Sequence, residues 1–327
     1  MKKTILRSKI AYLFFGLVLI VTVLLSACAS NVMSNSVLTD KEYHLGAEPS
    51  QQKQYYIMRS EMKAFSQSGE LEGTDTYTLH LTCTPALKDG ISTFEYTCFR
   101  MAIKDSDGTE TTIPGLDNWS YIADPVGIDK DNNVFGIDAG FFQTLTDSDG
   151  NVLTFDKAYH VYNTFIDYQS FCFVFGAPHP NYNGIQNLTT VGQKIIHGAA
   201  NSKAPVHLGT TIKEGSYFQN GEITLVFKGL SEVNDKSCVL LEVDSGDSSF
   251  NMVLQPAPNV EVVVKGYSHY NADIYKDIET SWVQKVEFTE MVIAETALPG
   301  PEQQKMHSVV ERNILIENVS EKEFNSR

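Results

Sequence analysis

The chain has 327 residues, and its 40 acidic residues outnumber 25 basic ones to leave a formal charge of −15. Such an acidic surface, with no run of five basic residues, argues against partners that reward clustered Lys and Arg, namely nucleic acid and anionic headgroups. Hydrophobic residues make up 42% of the chain, an ordinary globular content that argues against disorder, and the length predicts two domains.

Lys2, Lys3, Arg7 and Lys9 open the chain, and no acid occurs among the first 27 residues. Ile10 to Leu25 is then almost unbroken apolar sequence, shorter than the roughly 20 residues a spanning helix needs. That succession is a secretory leader, residues 1–27. Its end, Leu25-Ser26-Ala27-Cys28, resembles the lipobox of bacterial lipoproteins. The resemblance implies that Cys28 carries acyl chains, that the mature chain starts there, and that the protein is anchored to a lipid bilayer of the cell envelope. Ala29 rather than Asp follows the cysteine, which by the same resemblance implies the outer membrane in a Gram-negative source. Two or three chains give a lasting anchor where one does not. No family is identified for the mature body.

Residues 28–50 read as a polar tether, 51–185 as a first β-rich domain, 186–300 as a second, and 301–327 as a charged tail holding either a closing strand, NILIENV, or a peripheral helix. Tyr55, Met58, Met62 and Phe65 recur at helical spacing and predict a short amphipathic helix. From Thr76, TYTLHLTC and FEYTCFRMAI alternate at period two around the turn residues PALKDG, a hairpin signal. The run FFQTLTDSDGNVLTF predicts another hairpin with Asp147 to Gly150 at its tip. Ala158 to Gly176 is aromatic and apolar, and reads as one or two buried strands. Pro, Asn and Gly cluster at Ala177 to Gly184 and mark the boundary zone. EITLVFKG, SCVLLEVDSG, SFNMVLQP, NVEVVVKG and WVQKVEFTEMVIAE then follow as short strands. The expected fold is mainly β, an antiparallel sandwich or partly closed barrel with two β domains and little helix. Similar strand patterns in both halves are compatible with a duplication, but period two recurs without ancestry.

Catalytic signatures are absent: no GxSxG, HExxH, GxxxxGK[ST] or GxGxxG occurs. Ser268 and His269 are adjacent, so on a strand they point to opposite faces and cannot readily form a nucleophile–base pair. His197 and His207, with His179, are candidate zinc ligands lacking an identifiable further ligand, and His160 reads as a core or rim residue. Asp105, Asp129 and Asp147 each begin an alternating set of oxygens, but no set continues as an EF-hand. Plain turns are the simpler reading, with weak structural calcium as the alternative and no other cofactor expected.

Besides Cys28 there are Cys83, Cys98, Cys172 and Cys238, with no CxxC spacing. Cys83 and Cys98 lie on the two arms of the first hairpin, within a residue or so of register, and predict a disulfide; Cys172 and Cys238 read as buried small hydrophobes. Trp119, set among Pro114, Gly115, Asp117 and Asn118, is the candidate exposed ligand-binding aromatic. The function expected is a non-catalytic envelope lipoprotein that binds a partner protein or a glycan through sheet surfaces and loops, with no nucleic-acid role. The alternative is an extracytoplasmic hydrolase whose site assembles only in three dimensions.

Overall fold

A computed structural model describes residues 41–88, 91–123, 133–179, 181–206, 212–257, 260–299 and 304–326. The strands are β1 (Gln54–Phe65), β2 (Leu71–Lys88), β3 (Ile91–Lys104), β4 (Glu110–Thr112) and β5 (Ser120–Ile122) in the first half. The second half carries β6 (Lys194–Ile196), β7 (Lys203–Pro205), β8 (Tyr217–Gln219), β9 (Thr224–Val233), β10 (Lys236–Asp244), β11 (Ser248–Ala257), β12 (Val260–Asp277), β13 (Val283–Ala297) and β14 (Lys305–Asn318). All 14 belong to one antiparallel sheet, ordered β4-β3-β2-β1-β14-β13-β12-β10-β9-β6, and the sheet is not closed into a barrel. The long β12 forks it. Its first half pairs with β11, which leads to β8 and β7, and its second half pairs with β10.

The mainly β, antiparallel expectation holds, but no second sheet packs on the first among the described residues. β1 pairs with β14 from Tyr56↔Asn318 to Phe65↔Val309, so strands from both halves of the chain share one sheet across the boundary expected near residue 185. The segment expected as a charged tail supplies β14, which lies between β1 and β13.

The centre of the layer that covers the sheet comes from the segment read as buried strand. Phe155–Gln169 is a helix, N-capped by Thr154 and extended through a π-helical turn at Ser170–Val174. Ala158, Val161, Tyr162, Phe165 and Tyr168 recur at steps of three and four, and all are buried. This apolar face, period 3.6 rather than 2, packs on the inner face of the sheet. Tyr168 meets Tyr56 at 5.1 Å and Tyr96 at 5.9 Å between ring centroids, and Phe171 meets Phe288 at 4.7 Å.

The opposite correction applies to Tyr55–Phe65, expected as helix and found as β1. Met58 and Met62, four apart, satisfy both periods, and the buried Tyr56, Met58 and Ser60 show that period two prevails. The β2–β3 hairpin is as expected. At the second expected hairpin only the Asp147–Gly150 turn forms, closed by one bridge between Thr146 and Val152, because helices flank it on both sides.

Cys83 and Cys98 are both free, as are Cys172 and Cys238. Lys88 opposes Ile91, a register that puts Cys83 opposite Tyr96 and Cys98 opposite Leu81. The two residues are therefore diagonal neighbours, with backbone positions about 7–8 Å apart by sheet geometry, beyond the Cα separation a disulfide spans. Burial pushes the Cys83 and Cys98 thiols up, which leaves them inert.

Lys276 is 2% exposed, where a register shift turns β12 inward. Its ammonium donates to the Gly176 carbonyl at 2.9 Å and the Ser281 carbonyl at 2.8 Å, tying the end of the π-helical turn to the β12–β13 connection. Burial lowers its pKa from 10.5 to about 8, against the pull of Glu48 and Asp277. Between those values the unfolded chain holds a proton that the folded chain has released, so this group makes stability rise with pH across the window. Buried thiols and phenols with raised pKa pull the other way in this window, so the test is the difference: from pH 8 to 10.5 the wild type should gain thermal stability relative to Lys276→Met. Parallel profiles for the two proteins would show that Lys276 titrates normally.

Candidate functional site

Alternation along the central strands sorts their side chains between two faces. Ala272, Phe288 and Ile314 point into the core. Their neighbours Asn271, Asp273, Glu287, Thr289, Asn313 and Leu315, joined by Arg59, Glu61 and Glu242, line an open groove of about 710 Å³ on the outer face. It runs across β10, β12, β13, β14 and β1.

Register sets the chemistry of this groove. Glu242 opposes Asp273, Asp273 opposes Glu287, Glu287 opposes Leu315, and Leu315 opposes Arg59. One row thus carries three carboxylates, an apolar residue and a guanidinium. Directly opposed like charges destabilise a sheet. Glu242 is relieved by Lys228 at 2.9 Å, and Glu287 by Lys285 at 2.8 Å and the Tyr275 hydroxyl at 3.1 Å. Asp273, between them, has no ion pair among the described residues. Burial, then Glu242 and Glu287, raise its carboxyl above the ordinary range. A parallel row holds amides and hydroxyls: Asn271 donates to Asp244 at 3.2 Å, and Thr289 donates to Asn313 at 3.1 Å.

The residues singled out from sequence do not line this groove. Trp119 is half-buried rather than displayed, its ring stacked on Phe141 at 5.4 Å and packed edge-on to Phe142 and Phe165. Ser268 is 2% exposed and faces inward, whereas His269 faces outward and meets the Gly246 carbonyl at 3.0 Å, so the adjacent pair is split between faces. His160 lies on the helix and pairs with Asp156 at 3.4 Å. His179 and His197 are brought together around one ring, His179 stacked on Tyr182 at 3.5 Å and His197 edge-on to it at 5.2 Å. Burial lowers the His197 imidazole to about 4, which suits a neutral core residue.

Asp147 accepts from the backbone of Asp149 and Asn151, Asp107 from that of Thr109, and Asp105 pairs with Lys157 at 2.7 Å. These acids therefore work as turn acceptors and an ion pair. Cys28, Asp129 and His207 lie outside the described residues. Among the described residues no three His, Cys, Asp or Glu side chains form a group able to hold a metal, and no helix is long and apolar enough to cross a membrane.

A buried ionic network under the helix was not apparent from spacing. Arg312 of β14 donates through Nη1 to Asp167 of the helix at 2.8 Å and through Nε to Glu290 of β13, which also accepts from the Ser268 hydroxyl. Burial opposes the Arg312 charge, but Asp167 and Glu290 together raise its pKa. Ser268, the hydroxyl nearest to a nucleophile in the sequence, is thereby spent on a structural carboxylate. No protein-family model matches the chain, and no curated protein matches it.

Arg312→Leu should leave both carboxylates buried and unpaired, at a cost of about 3–5 kcal/mol in urea unfolding. Replacing all three together by Arg312→Met, Asp167→Leu and Glu290→Leu should recover most of that loss. A single-variant cost within experimental error of zero would contradict the buried network.

Proposed function

We propose that this chain is an exported, lipid-anchored protein of the cell envelope that binds a partner protein through the outer-face groove, without turnover. The anchor rests on the leader and Cys28. The binding role rests on one observation: five adjacent strands turn exposed or half-exposed charged and amide side chains into a common groove, and Asp273 there has no ion pair among the described residues. The groups closest to catalytic ones are committed elsewhere. Ser268 is bound to Glu290, His197 is buried, and His160 pairs with Asp156. A mixed-charge lining fits a protein surface better than a neutral glycan, because electrostatic complementarity selects partners of matching charge pattern.

The test is photo-crosslinking in cells of the source organism, with a benzoylphenylalanine at Thr289 or Asn313 and a control at Val152, which is 66% exposed and outside the groove. One discrete protein adduct should form from positions 289 and 313 and not from 152. Labelling with a fatty acid should tag the wild type, and Cys28→Ala should remain unlabelled as precursor. Equal adducts from all three positions would rule out the groove as the docking site, and equal labelling of both proteins would rule out the anchor.

A further inference from the structure

The charges along the groove are ordered. The three carboxylates occupy β10, β12 and β13, and Arg59 sits on β1 in the same register row, with the half-buried Leu315 between. The Arg59 side chain is 61% exposed, and its contact with Glu61 is long, at 3.5 Å. Of the three acids, Asp273 alone lacks an ion pair among the described residues, since Lys228 and Lys285 are engaged by its neighbours. The row therefore holds one carboxylate with no ion pair among the described residues, in the middle of its acidic part, and at its β1 end a guanidinium with only the long Glu61 contact. Asp273 and Arg59 are separated by three strand spacings, about 14 Å. Four residues of extended polypeptide cover that distance at about 3.3–3.6 Å each.

We infer, resting on the partner-binding reading above, that the partner lays an extended segment across the strands of this groove, with a Lys or Arg over Asp273 and an acidic side chain four residues away over Arg59. The basic group gives Asp273 a direct ion pair where it has only the more distant attraction of Lys228, and the acidic group replaces the long Glu61 contact of Arg59. Glu287, already paired with Lys285, and Leu315 floor the span between them, so a small apolar residue fits over Leu315, next to the acidic end of the segment. Spacing carries the specificity: a shorter or longer separation satisfies one end and leaves the other charge unpaired. The sheet itself gains nothing from Asp273. Its carboxylate faces two others, a local conflict of the kind found at functional surfaces.

The leaderless protein is panned against a displayed library of random heptapeptides. Enriched sequences should carry one basic and one acidic residue four positions apart. Synthetic versions should bind Asp273→Asn and Arg59→Gln at least about tenfold more weakly than wild type by fluorescence anisotropy, the scale of one lost charged contact. Asp273→Asn should melt at or above the wild-type temperature, because it relieves repulsion; a merely structural Asp273 would give the reverse. The inference is overturned by enrichment without the basic residue, by no enrichment at all, or by equal binding to Asp273→Asn. Binding on a glycan array that Asp273→Asn abolishes would reassign the groove to a sugar. If the Thr289 adduct forms while no charge spacing is selected, partner binding stands and this segment does not; if the adduct also fails, the groove itself is lost.

Discussion

Everything in this structure depends on how one open sheet hides its apolar face. A sheet needs a second layer, and here a helix with its π-helical turn supplies its centre, completed by the short helix Ala139–Phe142 and by connecting residues such as Tyr43, Ile185 and Leu188. Tyr168, Phe165 and Phe171 reach the rings of β1, β3, β5 and β13, and the Arg312–Asp167 pair joins helix to sheet within the same layer. Burying each of these large side chains is worth about 1.5–3 kcal/mol. The ion pair adds orientation more than net stability, since its charges must be desolvated.

That arrangement assigns the two faces different tasks. The inner face is filled by aromatic rings, and the charged groups under the helix are engaged with one another: Arg312 with Asp167 and Glu290, and Glu290 with the Ser268 hydroxyl. Among the described residues the outer face carries only the short helix Glu321–Phe324, whose Phe324 buries Ile57 of β1 and packs on His80 of β2, and the groove beside it stays open. Its side chains meet solvent, and its charge pattern is set by strand register rather than by loops. A binding surface built this way is rigid, because each side chain is placed by a strand paired on both sides.

Much of the sheet was legible in the sequence. Period two marked β2, β3 and β9 to β13, and the Asp147–Gly150 turn was correctly located. Two segments misled for definable reasons. Tyr55 to Phe65 has apolar residues four apart, a spacing common to helix and strand. Ala158 to Gly176 is rich in aromatic and β-branched residues, whose strand propensity hid the buried steps of Ala158, Val161, Tyr162, Phe165 and Tyr168. Missing that helix also meant missing the single-sheet architecture, because without a helical layer a second sheet is needed to cover the first. The groove was half legible: Glu242, Glu287 and Thr289 belong to the recognised segments SCVLLEVDSG and WVQKVEFTEMVIAE, whereas Asn271 and Asp273 lie beyond NVEVVVKG, on the continuation of β12 where no strand was expected. Their alignment with Arg59 depends on the pairing of β1 with β14, between residues more than two hundred positions apart, which no local pattern records. Trp119 misled because its flanking turn residues resemble an exposed loop, whereas its ring is drawn into the cluster of Phe141, Phe142 and Phe165.

Native-state hydrogen exchange of the leaderless protein decides whether the helix is a permanent layer that leaves the outer face as the working surface. Amides of the helix from Tyr159 to Gln169 should open only with global unfolding, at the same free energy as those of β13 and β14. If the helix instead exchanges through a local opening of much lower free energy while the strands remain protected, the inner face is accessible in the native state. The division of labour between the two faces would then be wrong.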